Sequence, residues 1–153
     1  MAVHLRSATA DDRARCLELL TMLVGEAPPG DWGDAVYDAL LTKERGEIHV
    51  AAENGSILGI ATVSYNLALR YRGEYCQLEE LIVDPEARGK NVGLLLVRNS
   101  IERARERGCG EYGLYLVATT ETNQLFYEKC GLTRVGSEMR LDLRGRKSAE
   151  EDR

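Results

Sequence analysis

Leu78-Glu-Glu-Leu-Ile-Val-Asp-Pro-Glu-Ala-Arg-Gly-Lys-Asn-Val-Gly-Leu-Leu-Leu-Val97 decides the fold, because one short run holds a strand, a turn and a helix start. Leu78 to Val83 is apolar and strand-like, and Asp84-Pro85 stops it, since proline cannot extend a ladder. From Leu94 onward, Leu94, Val97, Ile101, Ala104 and Gly108 recur at helical spacing and mark an inward stripe. Between them lies Arg88-Gly-Lys-Asn-Val-Gly93. A helix N-terminus presents unpaired N–H groups and a partial positive charge. Small residues let the backbone close around phosphate oxygens, and Arg88 and Lys90 add charge. The combination fits a pyrophosphate; a turn that merely joins strand to helix is the other reading. Glu79 and Glu80 are neighbours on the strand, so a regular pleat sends them to opposite faces, with one toward a cleft.

Upstream, Val3 to Arg6 reads as a first strand, and Thr9-Ala-Asp-Asp12 as a capped helix start. The helix carries Leu17, Leu20 and Val24 on its inward face and stops at Gly25. Glu26 to Asp31 contains Pro28-Pro29-Gly30 and forms a loop. A second helix runs from Trp32 or Asp34 to Thr42, burying Val36, Ala39 and Leu40. Glu47 to Glu53 and Ser56 to about Leu69 are strands joined by Asn54-Gly55, a strong hairpin pair. Arg70 to Glu74 is a polar turn, and the strand from Tyr75 to Val83 follows it.

Downstream, Tyr112 to Ala118 is a strand and Thr122 to Lys129 a short helix closed by Gly131. Tyr127 could aim its phenol into a cleft as a proton donor, or pack under that helix. Leu132 to Val135 and Glu138 to Leu143 read as a last hairpin. The order is β-α-α-β-β-β-α-β-α-β-β: an α+β fold, a mixed sheet with helices on both faces. Residues 1–143 form one domain, and 144–153 form a disordered tail without apolar residues to dock.

At 153 residues, 44% hydrophobic and 29% charged, the composition is that of a soluble globular domain. A net charge of −5 argues against nucleic acid and is compatible with a cationic ligand. Cys16, Cys76, Cys109 and Cys130 stand apart from one another and from His4 and His49, so neither a zinc site nor a disulfide framework is expected. No apolar run approaches a membrane span. A reduced, cytoplasmic protein follows as the expectation.

Taken together, Arg88 to Gly93, the strand ending in Val83-Asp-Pro-Glu86 and the later Phe126-Tyr-Glu-Lys-Cys-Gly-Leu132 resemble the GNAT superfamily of acyl-CoA N-acyltransferases. The opening Leu5-Arg-Ser-Ala-Thr-Ala-Asp-Asp12 resembles the family's first strand and helix. The likeness covers about residues 3 to 143. It implies a sheet whose central strands, Glu79 to Val83 and Tyr112 to Ala118, splay apart to admit the pantetheine arm of acetyl-CoA. The backbone of Leu81, Ile82 and Val83 then contacts that arm. Arg88, Gly89, Lys90, Asn91, Val92, Gly93 and Leu94 hold the pyrophosphate. Asn91 replaces the motif's first glycine, and Asn tolerates the left-handed backbone such a position needs. The family's asparagine before the tyrosine has no exact counterpart; Glu121, Thr120 and, with a small deletion, Asn123 stand near its place.

The resemblance also implies a role for each carboxylate and for the phenol. Glu79, with Glu80 second, takes a proton from an amine that then attacks the thioester, and a strand N–H near Val83 polarises the carbonyl. Tyr127 protonates the departing sulfur. No metal is required. The acceptor, a small amine or a peptide or protein amine, meets Glu26 to Trp32 and the next helix, where Asp31, Trp32 and Asp34 could form an anionic, aromatic rim; Trp32 could equally anchor the helix. A homodimer is common in such a family. A non-catalytic acyl-CoA-binding module that senses CoA or scaffolds a partner is the rival reading.

Overall fold

The computed structural model describes residues 2–25, 33–117 and 123–144, and the chain divides into two compact units, residues 1–113 and 114–153. In the first unit, β1 (His4–Ser7), β2 (Gly46–Glu53), β3 (Ser56–Ala68) and β4 (Gly73–Val83) pair in turn as an antiparallel meander. β5 (Tyr112–Leu114) follows β4 in the sheet. Gly110 N–H bonds Glu74 C=O and Cys76 N–H bonds Glu111 C=O, both at 2.8 Å, so these segments run in the same direction and the sheet is mixed. Helices α1 (Arg13–Val24), α2 (Asp34–Leu41) and α3 (Val92–Arg107) complete this unit.

Local chemistry explains the element ends. Asp12 Oδ2 accepts from the Thr9 N–H at 2.8 Å and from the Thr9 hydroxyl at 3.2 Å, so the expected helix start is present as a 3-10 turn, Ala10–Asp12, leading into α1. Gly25 closes α1 at φ 89°. Asn54 and Gly55 both take positive φ, 52° and 81°, as a tight two-residue hairpin demands.

The sheet buries both faces. On one, Ile48, Val50, Ile57 and Ile60 pack with Cys16, Leu19 and Tyr37 of α1 and α2. The inward faces differ from the sequence expectation. In α1 they are Cys16 and Leu19 rather than Leu17, Leu20 and Val24, and Val24 is 52% exposed. Arg15 sets this rotation: it reaches back to Ile57 C=O at 3.1 Å and to Asp84 at 2.6 Å. In α2, Tyr37 is buried instead of Val36 and Ala39, because its hydroxyl donates to Thr9 C=O at 2.6 Å.

On the other face α3 buries Val92, Leu96, Val97, Ser100 and Ala104. Only Val97 and Ala104 belong to the expected stripe. The turn toward Val92 and Leu96 follows from Gly59, where an added Cβ would lie 3.1 Å from Val92 and 3.2 Å from Leu96. Gly108 is the left-handed C-cap. Arg107 fastens this end: its guanidinium pairs with Glu74 at 2.8 Å, donates to the Lys43 and Glu44 carbonyls and stacks 3.8 Å over Tyr65.

In the second unit, α4 (Gln124–Lys129) ends where Leu132 N–H bonds Tyr127 C=O at 3.1 Å, past Gly131 at φ 102°. Residues 132–142 carry no strand, so the expected terminal hairpin is not formed. Val135, Met139, Leu141 and Leu143 alternate as a strand face would, yet each is at least 82% exposed. An alternating segment becomes a strand only where an edge pairs with it. β5 is likewise shorter than expected, with 115–117 irregular; Ala118, the Glu26 to Trp32 loop and residues 145–153 lie outside the described residues.

Candidate active site

Strand β4 does not keep a regular pleat. Thr62 pairs with Glu80 and Val63 with Leu78, which leaves Glu79 as an extra residue, a β-bulge. The bulge overturns the expectation of opposed carboxylates. Ser64 Oγ donates to Glu79 Oε2 at 2.6 Å, and Thr62 Oγ1 donates to Glu80 Oε1 at 2.6 Å. Thr62 and Ser64 are two apart on β3 and share a face, so Glu79 and Glu80 converge on that same face. Asn66 extends the row, donating to Ser64 Oγ at 2.9 Å.

The two acids differ in environment. Glu79 is exposed, and Glu80 is partly covered. Burial raises the Glu80 pKa above the usual carboxylate range; the Thr62 bond opposes this, and the neighbouring Glu79 charge adds to it. Thr62, Ser64 and Asn66 were missed in the sequence. Their signal was polar alternation at period two inside an apolar strand, facing a strand with two acids.

Beyond the bulge, backbone direction alternates. Asp84 N–H bonds Leu58 C=O at 2.8 Å and Glu80 N–H bonds Thr62 Oγ1 at 3.1 Å, both toward β3. Ile82 shares their direction, and its side chain packs against the α1 and α2 core. Leu81 and Val83 therefore turn their amides away from β3. β5 has only three residues against eleven in β4, so it can match only part of that edge.

Asp84 accepts from the Glu86 N–H at 2.9 Å and caps a 3-10 turn, Pro85–Ala87. The chain then passes Gly89 at φ 86° and Asn91 at φ 57°. Asn91 thus occupies the left-handed region and stands as the N-cap of α3. The first helical bond runs from Leu95 N–H to Asn91 C=O at 3.0 Å, so the Val92, Gly93 and Leu94 amides have no acceptor within the helix. A Cβ on Gly89 would meet nothing within 4 Å. Three free amides, open space and the Arg88 cation fit a phosphate group. Lys90 is already engaged by Glu53 at 2.6 Å.

Tyr127 and Asn123 belong to α4 in the second unit. Tyr127 packs edge-on to Phe126 at 5.0 Å, and burial pushes its phenol pKa up, which keeps it protonated. Asn123 is the helix N-cap without a side-chain capping bond. Asp34 is held by Arg13 at 3.2 Å, which binds Asp38 as well, so it is not a free anion; Asp31 and Trp32 lie outside the described residues, as do Thr120 and Glu121. Among the described residues no His, Cys, Asp and Glu group could hold a metal, and no helix is long and apolar enough to cross a membrane. No disulfide joins the cysteines, and burial raises the Cys16 thiol to about 11 and the Cys76 thiol to about 12, which marks these two as packing groups.

Residues 17–132 match the acetyltransferase (GNAT) family. The chain belongs to that family, and acetyl transfer to an amine is its class of activity. A Trypanosoma brucei protein named glucosamine 6-phosphate N-acetyltransferase is 29% identical over 145 residues, 92% of this chain and 96% of that one. Two rice relatives named for the same activity are 38% and 37% identical over 73 residues, and the match spans 48% of this chain but only 42% of theirs. Among solved structures, an acetyltransferase of Trypanosoma brucei superposes with a TM-score of 0.77 at 30% identity, covering 92% of this chain and 99% of that one.

Proposed function

We propose that the chain transfers the acetyl group of acetyl-CoA to a small primary amine by direct attack, with both substrates bound at once. The observation that carries this is the β4 bulge, which gathers Glu79 and Glu80 on one strand face just before the phosphate-fitting turn. When bound, acetyl-CoA supplies an activated acetyl group and a thiolate leaving group. The Leu81 and Val83 amides pair with its pantetheine arm, and the turn from Arg88 to Leu94 takes its pyrophosphate. An amine is protonated at neutral pH and cannot attack in that form. Glu79, exposed and fixed in place as the acceptor of the Ser64 hydroxyl, takes the proton. Glu80 backs it and shapes the local charge. A further strand N–H near Val83, not the one that holds the arm, polarises the carbonyl, and Tyr127 hands a proton to sulfur. Asn123 is a further contact to the cosubstrate.

Residues 1–143 serve as one N-acetyltransferase domain, a reading supported by the family match over residues 17–132. The absence of a disulfide among the four cysteines supports a cytoplasmic enzyme. The exposed, alternating Val135, Met139, Leu141 and Leu143 support a homodimer, which sedimentation measures.

The relatives' names make glucosamine 6-phosphate the first acceptor to test. Thr62, Ser64 and Asn66 beside two carboxylates suit a polar amine. The experiment is acetyl-CoA turnover against a panel holding that amino sugar phosphate, polyamines and lysine or N-terminal peptides, with product mass detection. Acetylated amine with stoichiometric thiol release is the expected result. Tight CoA binding with no acceptor turned over establishes the non-catalytic module instead.

Asn91 supplies an independent check on the cosubstrate site. Asn91→Gly should bind acetyl-CoA within a few-fold of the parent, whereas Asn91→Val should bind much more weakly, because a β-branched side chain resists positive φ. Calorimetric titration of the three proteins reads this directly. Equal affinity for the valine variant places the pyrophosphate elsewhere.

A further inference from the structure

Within the turn from Arg88 to Leu94 the two cations are not equivalent. Arg88 has no ion pair among the described residues, whereas Lys90 Nζ lies 2.6 Å from Glu53 Oε1. Glu53 is the last residue of β2, pinned by its register with Ser56 and by the Asn54-Gly55 hairpin. Its side chain is 17% exposed against 45% for Lys90. The Lys90 bond holds its carboxyl below the usual range, so it is charged at neutral pH. The rigid partner is thus the carboxylate, and the mobile one is the lysine, a charge on a flexible four-carbon stem.

We propose that Glu53 is a specificity-setting residue acting through Lys90. It occupies the lysine in the free protein and must give it up to a phosphate-bearing acyl donor, so that it tempers affinity for CoA. This rests on the assignment of the pyrophosphate to the turn from Arg88 to Leu94. A carboxylate at 2.6 Å cancels most of the ammonium charge that an approaching phosphate would feel. Binding then exchanges one anion for another rather than filling a vacant cation. Arg88 remains available throughout, so the turn keeps one cation for first capture and releases the second only to a ligand that outcompetes a carboxylate. A phosphate with more than one negative charge does so, and a monovalent carboxylate ligand does not. The latch therefore selects for phosphorylated donors over simple carboxylates.

Ion pairs this exposed are each worth a small amount, so Glu53→Gln should tighten acetyl-CoA binding by about two- to fivefold. The test is a double-mutant cycle by calorimetry on the full chain: parent, Glu53→Gln, Lys90→Gln and the double variant. Lys90→Gln should weaken binding less in the parent than in the Glu53→Gln background, and the gain from Glu53→Gln should vanish when Lys90 is absent. Glu53→Asp keeps the charge and should return affinity toward the parent. Turnover of S-acetyl-pantetheine, which lacks the pyrophosphate, should not respond to Glu53→Gln. A purely structural role for Glu53 would move both donors alike. The inference is overturned if Glu53→Gln binds acetyl-CoA no tighter than the parent, or if its gain persists without Lys90. A parent that binds no acetyl-CoA overturns the underlying assignment as well, and the two failures are told apart by the parent titration alone.

Discussion

Glu79→Gln is expected to lower kcat/KM for the amine by about 10²–10⁴-fold, the usual cost of losing a general base. The amide keeps the size and can still accept from Ser64, so the strand and its bulge persist. The loss should shrink as pH rises toward the amine pKa, where the acceptor is neutral without help. Glu80→Gln should cost less, yet it is not expected to be silent, because both side chains reach the same strand face. Removing the Glu79 charge also relieves the repulsion that raises Glu80, so the acid limb of any residual activity should move to lower pH in the Glu79 variant. Steady-state kinetics across pH, with acetyl-CoA affinity measured alongside, checks all of this. Equal, pH-independent losses in the two variants would assign the pair to structure rather than to proton transfer.

Gly46→Ala carries the largest expected effect on stability. Gly46 opens β2, and a Cβ there would press into the Val63 carbonyl and come within 2.6 Å of Leu40 Cδ2. The leucine end can rotate, but a backbone carbonyl in the β2–β3 ladder cannot move without breaking its register. Overpacking of this kind costs about 3 kcal/mol. Urea unfolding should show a lower midpoint with an unchanged slope. Gly73→Ala is the control, since its added Cβ meets nothing within 4 Å and its midpoint should stay near the parent's. Matching midpoints for the two variants would show that β3 yields cheaply.

The order of the elements through α4 and the class of the protein are legible in the amino-acid sequence, because turn chemistry and motif order are local. Asn54-Gly55, Asp84-Pro85 and the Thr9–Asp12 box announce themselves in a few residues each. Which way each helix faces is not legible in the same way. Leu17 against Cys16, and Val36 against Tyr37, differ by a single position, and the choice is made by distant partners such as Asp84 and the Thr9 carbonyl. The bulge was hidden for the same reason: register belongs to a pair of strands, and no pattern within Leu78–Val83 marks an extra residue. Glu53 was read only as a strand end because its partner lies across the hairpin, in the turn before α3. The segment 132–143 reads as strands in composition yet forms none, which shows that alternation supplies a face but not an edge.

The meander also implies an order of assembly. β2, β3 and β4 are neighbours in sequence as well as in space, joined through Asn54-Gly55 and the short turn at Leu69–Arg72. Contacts of short sequence separation are cheap in chain entropy and form early, whereas α3 must return over the sheet and β5 must arrive from beyond it. The bulge, with Glu79, Glu80 and their β3 hydroxyl partners, therefore belongs to the part of the chain that can fold while synthesis continues. The turn from Arg88 to Leu94 gains its fixed shape only when Val92 and Leu96 settle on Gly59 and Arg107 grips Glu74. A growing chain thus carries its proton-accepting strand before it can grip a phosphate, and competence to bind the donor marks the completion of folding.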